Sequence, residues 1–183
     1  MAGPFATATE VCEWSGLPMP DDLGRLQSLV QTASSIIRAH CSQTLSLVTG
    51  DVFVAYPTAS SLLTLPERPV TAVSQVLVDG VATTAFYIVP RGIRSGTLAA
   101  PGTAWDRGAT VTYTHGYAES SDAFNTFKSI CIEMTKRAYT MDERGQAVFQ
   151  GGIPAETIGF PTSVFLTQDN REALRPFLRG PVR

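Results

Sequence analysis

The stretch Leu65-Pro66-Glu67-Arg68-Pro69-Val70-Thr71-Ala72-Val73-Ser74-Gln75-Val76-Leu77-Val78-Asp79-Gly80 decides how this sequence folds, together with Val111-Thr112-Tyr113-Thr114-His115-Gly116-Tyr117 further along. Pro66 and Pro69 have no amide hydrogen to give to a sheet, and they bias Leu65 and Arg68 toward extended backbone. They mark an edge or a corner, and a strand follows them. Along that strand Val70, Ala72, Ser74, Val76 and Val78 fall on one side by strict alternation. Thr71, Val73, Gln75 and Leu77 fall on the other. Asp79-Gly80 then supplies two residues that tolerate the positive φ of a tight hairpin turn.

Outward from this hairpin the period of two persists from Thr44 to Gly116. Strands are predicted over Ser61 to Leu65, Thr71 to Val78, Phe86 to Val89, Thr97 to Ala99 and Ala109 to Thr114, with Pro, Gly and Asp at the turns between them. Leu45, Leu47, Val52, Phe53, Val54 and Tyr56 straddle Thr49-Gly50-Asp51, a pattern that fits either a hairpin or one long strand with a bulge.

On both sides of this β unit the period changes to that of a helix. Thr7 and Glu10 form a capping-box pair for a short helix with Val11 and Trp14 on its inner side and Gly16 at its end, and residues 1–6 read as a frayed terminus. Pro18 and Pro20 break the chain. Asp21 or Asp22 then caps a second helix striped by Leu23, Leu26, Val30, Ala33, Ile37 and Cys41, which Leu29 and Ile36 widen to a face contacted on two sides. Ser120 or Ser121 caps a third helix bearing Phe124, Phe127, Cys131, Met134 and Ala138, with Asp122 near its positive end. Lys136, Arg137 and Arg144 lie toward its negative end, and Gly145 is predicted to close it.

Residues 146–166 combine Gly151-Gly152, Pro154, Gly159 and Pro161 with Val148, Phe149, Ile153, Ile158, Phe160, Val164, Phe165 and Leu166. A free linker is poor in large apolar groups, whereas a segment that orders against a partner keeps them as anchors. This stretch therefore reads as an arm. Thr167 caps a last short helix that Pro176 ends or kinks, with Arg171, Arg175 and Arg179 four apart on its polar side. The fold class is α+β: three helices plus a short C-terminal helix, an antiparallel β unit inserted at about 44–116, and an extended C-terminal arm. The helical core with its insertion spans 7–145 and the arm 146–183.

A chain of 183 residues is long enough to bury a core without disulfides or metals. Its three cysteines have no paired spacing and its first residues lack a signal-peptide pattern, which fits a reducing compartment. No run approaches the roughly 20 apolar residues that span a bilayer. A net charge of −2 gives no global attraction to phosphate or anionic lipid. Only 16% of residues are charged, a surface that suits coverage by partners and equally an alanine-rich proteome.

No residue pattern points to catalysis, a cofactor or a metal. His40 and His115 stand in no ligand spacing with Cys, Asp or Glu. Cys12, Cys41 and Cys131 occupy apolar helix positions with no identifiable base, and read as core. Asp21 with Asp22 and Asp142 with Glu143 are explained by capping and the helix dipole. Gly92, Gly96 and Gly102 lack the Lys-Ser/Thr of a phosphate loop and read as turns. Trp14 and Trp105 read as packing residues. The arginine row is the best candidate patch, since guanidinium groups pair geometrically with carboxylates, against the plainer reading of a solvated helix face.

The proline-flanked Pro69-Val70-Thr71-Ala72-Val73 strand ending in Asp79-Gly80, then Val111-Thr112-Tyr113-Thr114-His115-Gly116-Tyr117 before a helix, resembles the head-tail connector (adaptor) proteins of tailed bacteriophages. The front of the chain with its Leu17-Pro18-Met19-Pro20-Asp21-Asp22 break, and Glu156-Thr157-Ile158-Gly159 near the end, extend the resemblance over about residues 7–179. It departs at Phe160-Pro161-Thr162-Ser163, where an aromatic residue and Ser would follow Ile-Gly.

The resemblance implies a non-enzymatic virion protein of the neck, made in the host cytoplasm. It would form a ring, usually of twelve copies, between the portal and the next neck or tail protein, with DNA passing through its lumen unread. It also implies that Arg171, Arg175, Phe177 and Arg179 dock on the portal, with Ile158 and Phe160 as arm anchors. Another neck or tail-completion protein is the nearest alternative. A host β-rich binding module predicts an aromatic-lined cleft and a stable monomer, and a small hydrolase lacks a base-nucleophile pair.

Overall fold

The computed structural model describes residues 3–20, 23–58, 60–89, 96–100, 105–150 and 164–179, with the backbone alone for 141–150. In chain order the elements are α1 (Ala8–Ser15), α2 (Gly24–Cys41), β1 (Val48–Ala55), β2 (Leu62–Thr64), β3 (Val70–Val78), β4 (Val81–Ala82), β5 (Tyr87–Ile88), β6 (Thr97–Ala99), β7 (Ala109–His115), α3 (Asp122–Gln150) and α4 (Gln168–Leu174). A 3-10 turn, Arg175–Phe177, follows α4. The chain is α+β, and its contacts divide it into two compact units: residues 1–40 with 122–175, and residues 41–121 with 176–183.

The first unit is helical. Thr7 and Glu10 form the expected capping box, with Glu10 N–H donating to Thr7 Oγ1 at 3.2 Å and Thr7 N–H to Glu10 Oε2 at 2.8 Å. Gly16 closes α1 with φ 64°, in the left-handed region that glycine enters without a Cβ clash. Trp14 departs from expectation: it is 69% exposed. The buried residues of α1 are Ala8, Val11 and Cys12, and at about 100° per residue Trp14 lies about a third of a turn from the centre of that arc.

Residues before α1 are also not frayed where they are described. Phe5 is 2% exposed, its ring lies 5.6 Å from Phe124 and 5.5 Å from Phe127, and its N–H donates to the Ser34 hydroxyl at 3.0 Å. A large ring that removes its area from water fixes a chain end that short polar residues could not. The predicted cap of α2 at Asp21 or Asp22 lies outside the described residues.

Leu26, Val30, Ala33, Ile37 and Cys41 of α2 are buried, as are Phe124, Phe127, Cys131, Met134 and Ala138 of α3. Both predicted stripes are therefore core, except Leu23, which precedes α2 and is half-buried. Leu29 and Ile36 are half-buried. Helix α3 does not stop at Gly145 but runs to Gln150. An interior glycine costs only about 1 kcal/mol against alanine, and the helix formers around it carry the helix past. Thr167 caps α4, its Oγ1 accepting from Asn170 N–H at 3.3 Å, and α4 ends before Pro176 as expected. Leu174 is wholly buried and Asn170 donates to Glu133 at 3.5 Å.

The second unit holds two antiparallel sheets, ordered β1-β7-β3-β4 and β2-β6-β5. Strand β7 alternates cleanly, with Ala109, Val111, Tyr113 and His115 inside. Strand β3 does not. Val70 pairs with His115 but Ala72 with Thr114, and Val73 pairs with Tyr113 but Gln75 with Thr112, so two bulges each absorb one residue. The inward set is consequently Val70, Val73, Val76 and Val78, so Val70, Val76 and Val78 fall where alternation put them, while Ala72 and Ser74, expected with them, are exposed.

The extra hydroxyls are used: Thr71 Oγ1 donates to Thr114 C=O at 3.3 Å and Ser74 Oγ to Thr112 C=O at 3.1 Å. Strand β1 resolves the other ambiguity as one bulged strand, its register shifting between Val48 and Asp51 where Gly50 has φ 70°. Residues of both sheets share one core, in which Trp105 is 1% exposed and donates Nε1–H to Ser61 C=O at 3.1 Å.

Candidate interaction surfaces

The predicted partner-binding residues separate into three groups. Arg171, on α4, and Arg175, at the start of the 3-10 turn, are exposed in the helical unit. Phe177 and Arg179 belong to the β unit and are half-buried. Ile158 and Phe160 lie outside the described residues. The three arginines therefore do not form one row on one helix, because Pro176 cannot donate to the next turn and the chain leaves α4 after Leu174.

Within the β unit the C-terminal residues are held by groups that the sequence did not single out. Phe177 meets the Tyr117 ring edge-on at 5.6 Å, with planes at 89°. Gln43, 8% exposed, donates Nε2–H to Phe177 C=O at 2.6 Å and accepts from Arg68 N–H at 3.1 Å. Arg179 N–H donates to Cys41 C=O at 3.1 Å. That carbonyl is free because α2 ends there, Ser42 taking the left-handed conformation (φ 53°) common just past a helix end. Glu67 accepts from Thr44 N–H at 2.9 Å and fixes the same corner. Burial pushes the Tyr117 phenol up to about 12.

Strand β1 offers a second surface. Among the described residues it pairs with β7 alone, and so stands at an edge of its sheet. Val52, Val54 and Tyr56 are 57%, 65% and 88% exposed at alternating positions, with no charged residue among them. Edge strands are usually guarded by charge, proline or cover. At the bulge Asp51 Oδ2 meets His115 Nε2 at 3.2 Å. Tyr113 sits beside this pair, its phenol pushed well above the ordinary range by burial first and by the Asp51 and Glu67 carboxylates next.

The cysteines are free and buried. Burial pushes the Cys41 thiol up to about 11 and raises Cys131 as well, so both are protonated at neutral pH and pack as small apolar groups. Among the described residues no group of three His, Cys, Asp or Glu is placed to hold a metal ion, and no helix is long and apolar enough to cross a membrane.

The fold is thus that of an α+β protein whose strand-bearing insertion separates α2 from α3. No protein-family model matches the sequence, and no curated protein matches it. Among solved structures, a chain from the neck of an empty gene transfer agent particle computed with C6 symmetry superposes with a TM-score of 0.50 at 18% identity, covering 72% of this chain and 77% of that one. Chains from the neck of the native particle computed with C12 symmetry (TM-score 0.43, 15% identity, 74% and 83% covered) and from the native virion (0.45, 15%, 74% and 81%) match more loosely. At these identities the likeness is one of fold, and only the first superposes closely enough to bear on it.

Proposed function

We propose that the chain is a structural protein of a phage-type neck, a head-tail connector adaptor that forms a ring beneath the portal and joins the head to the tail. The observation that carries this reading is the fold shared with a neck protein of a gene transfer agent particle, over 72% of the chain. The order of the sequence pieces resembling the adaptor family supports it independently. A closed ring of heterologous contacts turns weak pairwise interfaces into a cooperative collar. The charge-free face of β1 suits a surface that neighbouring subunits cover. A net charge of −2 suits a lumen through which DNA passes without being held. In this reading residues 146–183 act as the arm, and Arg171, Arg175, Phe177 and Arg179, with Ile158 and Phe160, meet the portal. No turnover is involved.

Electron microscopy of the chain mixed with purified portal from the same virus tests the reading. A collar of about a dozen copies on one end of the portal is expected. A chain that remains a monomer at every concentration and leaves the portal bare would refute it, and attachment at the distal end of the neck would favour a tail-completion protein.

A further inference from the structure

The contacts around Gln43 define a site of their own, independent of the neck reading. Its side-chain amide cannot be turned round: Arg68 N–H must meet the oxygen, at 3.1 Å, so Nε2 is aimed at the C-terminal segment and meets Phe177 C=O at 2.6 Å. With Gln43 only 8% exposed, departure of that segment leaves a buried N–H without this acceptor. The other side of the site is the Cys41 carbonyl at the end of α2, which takes the Arg179 N–H.

The two main-chain groups held here are the carbonyl of Phe177, the last residue of the 3-10 turn, and the amide of Arg179, just past the bend at Leu178. Leu178, between them, is 37% exposed. The Tyr117 ring adds one side-chain preference, an aromatic group at the first position. We infer that Gln43, the Cys41 carbonyl and the Tyr117 ring form a site that reads the main chain of a short segment leaving a 3-10 turn, with an aromatic residue at the turn's end. It is occupied here by the chain's own C-terminal segment, and it is able to take the same segment from a second copy.

Two variants of the full chain test this. Gln43→Glu keeps an acceptor for Arg68 N–H, removes the donor to Phe177 and sets a carboxylate oxygen against that carbonyl, so hydrogen exchange at the Arg179 amide should quicken by at least about tenfold while amides of α3 stay protected. Phe177→Ala weakens the resident segment, so a labelled peptide of residues 174–179 should bind this variant about tenfold more tightly than the unaltered chain, and adding Gln43→Glu should abolish that binding. Equal protection of Arg179 in the Gln43→Glu chain overturns the inference. So does a peptide that fails to bind the Phe177→Ala chain, or that binds equally with and without Gln43→Glu. Loss of portal attachment has no bearing on these readouts, so failure of the neck reading is distinguishable.

Discussion

Nε2 of His115, a residue 2% exposed at the end of β7, lies 3.2 Å from Oδ2 of Asp51 at the bulge of β1. The bulge is what brings them together, since one extra residue before Asp51 re-aims its side chain across the ladder. Asp51→Ala should destabilise the β unit by about 1–3 kcal/mol, because the buried imidazole loses its partner, and Asp51→Asn should cost less. Urea unfolding of the three proteins decides this. Identical midpoints would show that the pair contributes nothing.

Gly50 and Gly116 both have positive φ, at 70° and 89°, yet their substitution should differ widely. A Cβ at Gly50 meets nothing within 4 Å, so Gly50→Ala carries backbone strain alone, about 1–2 kcal/mol. At Gly116 the added carbon would fall 2.1 Å from the Ser46 carbonyl oxygen, which is backbone and cannot step aside. Gly116→Ala should therefore abolish the cooperative melting transition of the β unit. A Gly116→Ala protein that melts like Gly50→Ala would count against this placement of the 46–116 contact.

In the helical unit Leu26 is wholly buried together with Ile37, Phe127 and Cys131. Leu26→Ala should cost about 2–5 kcal/mol from lost transfer and cavity terms. Leu26→Asp should prevent folding, since an unpaired charge in a packed core costs several kcal/mol against a total of about 5–15. A soluble Leu26→Asp protein with a sharp thermal transition would remove this core.

Lys128 Nζ sits 2.5 Å from Glu10 Oε1, and that hydrogen bond holds the Glu10 carboxyl below its usual range in the folded chain. The unfolded chain binds a proton at higher pH than the folded one. The pair therefore stabilises above the ordinary value of 4.5, and its contribution is lost as pH falls through the depressed folded value. Thermal unfolding of Glu10→Gln, which keeps the helix cap, should show a deficit near neutral pH that closes in acid. A deficit independent of pH would assign the effect to packing.

Replacing Arg171, Arg175 and Arg179 with Glu should abolish portal attachment while shifting the melting temperature little, because Arg171 and Arg175 are exposed and exposed charges contribute little to stability. Truncation after Thr167 should reproduce the attachment defect. Tail joining at normal frequency by both variants would return these residues to a solvated surface.

Much of this architecture is legible in residue order, and the losses have physical causes. The stripes of α2 and α3 and the alternation of β7 survive because burial on one face enforces a single period. Strand β3 misleads because Thr71 and Ser74 are consumed by bulges, and a bulge leaves no trace in a pattern of alternating small and apolar residues. Trp14 and Phe5 exchange their expected environments, since which flank of a short helix is covered depends on what docks there. Gln43 escapes notice because its partners, Arg68 and Phe177, stand 25 and 134 residues away. Local spacing carries no record of such a meeting.

The bare outer face of β1 also bears on how the isolated chain behaves at high concentration. Val52, Val54 and Tyr56 alternate along a strand at the sheet's edge, without a gatekeeping lysine or proline between them. Newly made copies at high local density would find each other through this edge in any register, and such encounters lead to precipitate as readily as to order. If the proposed ring is built on a template, the interval between synthesis and capture sets the yield. Production at low rate would make such encounters rarer, and production together with the proposed portal partner would shorten the time the edge is left open.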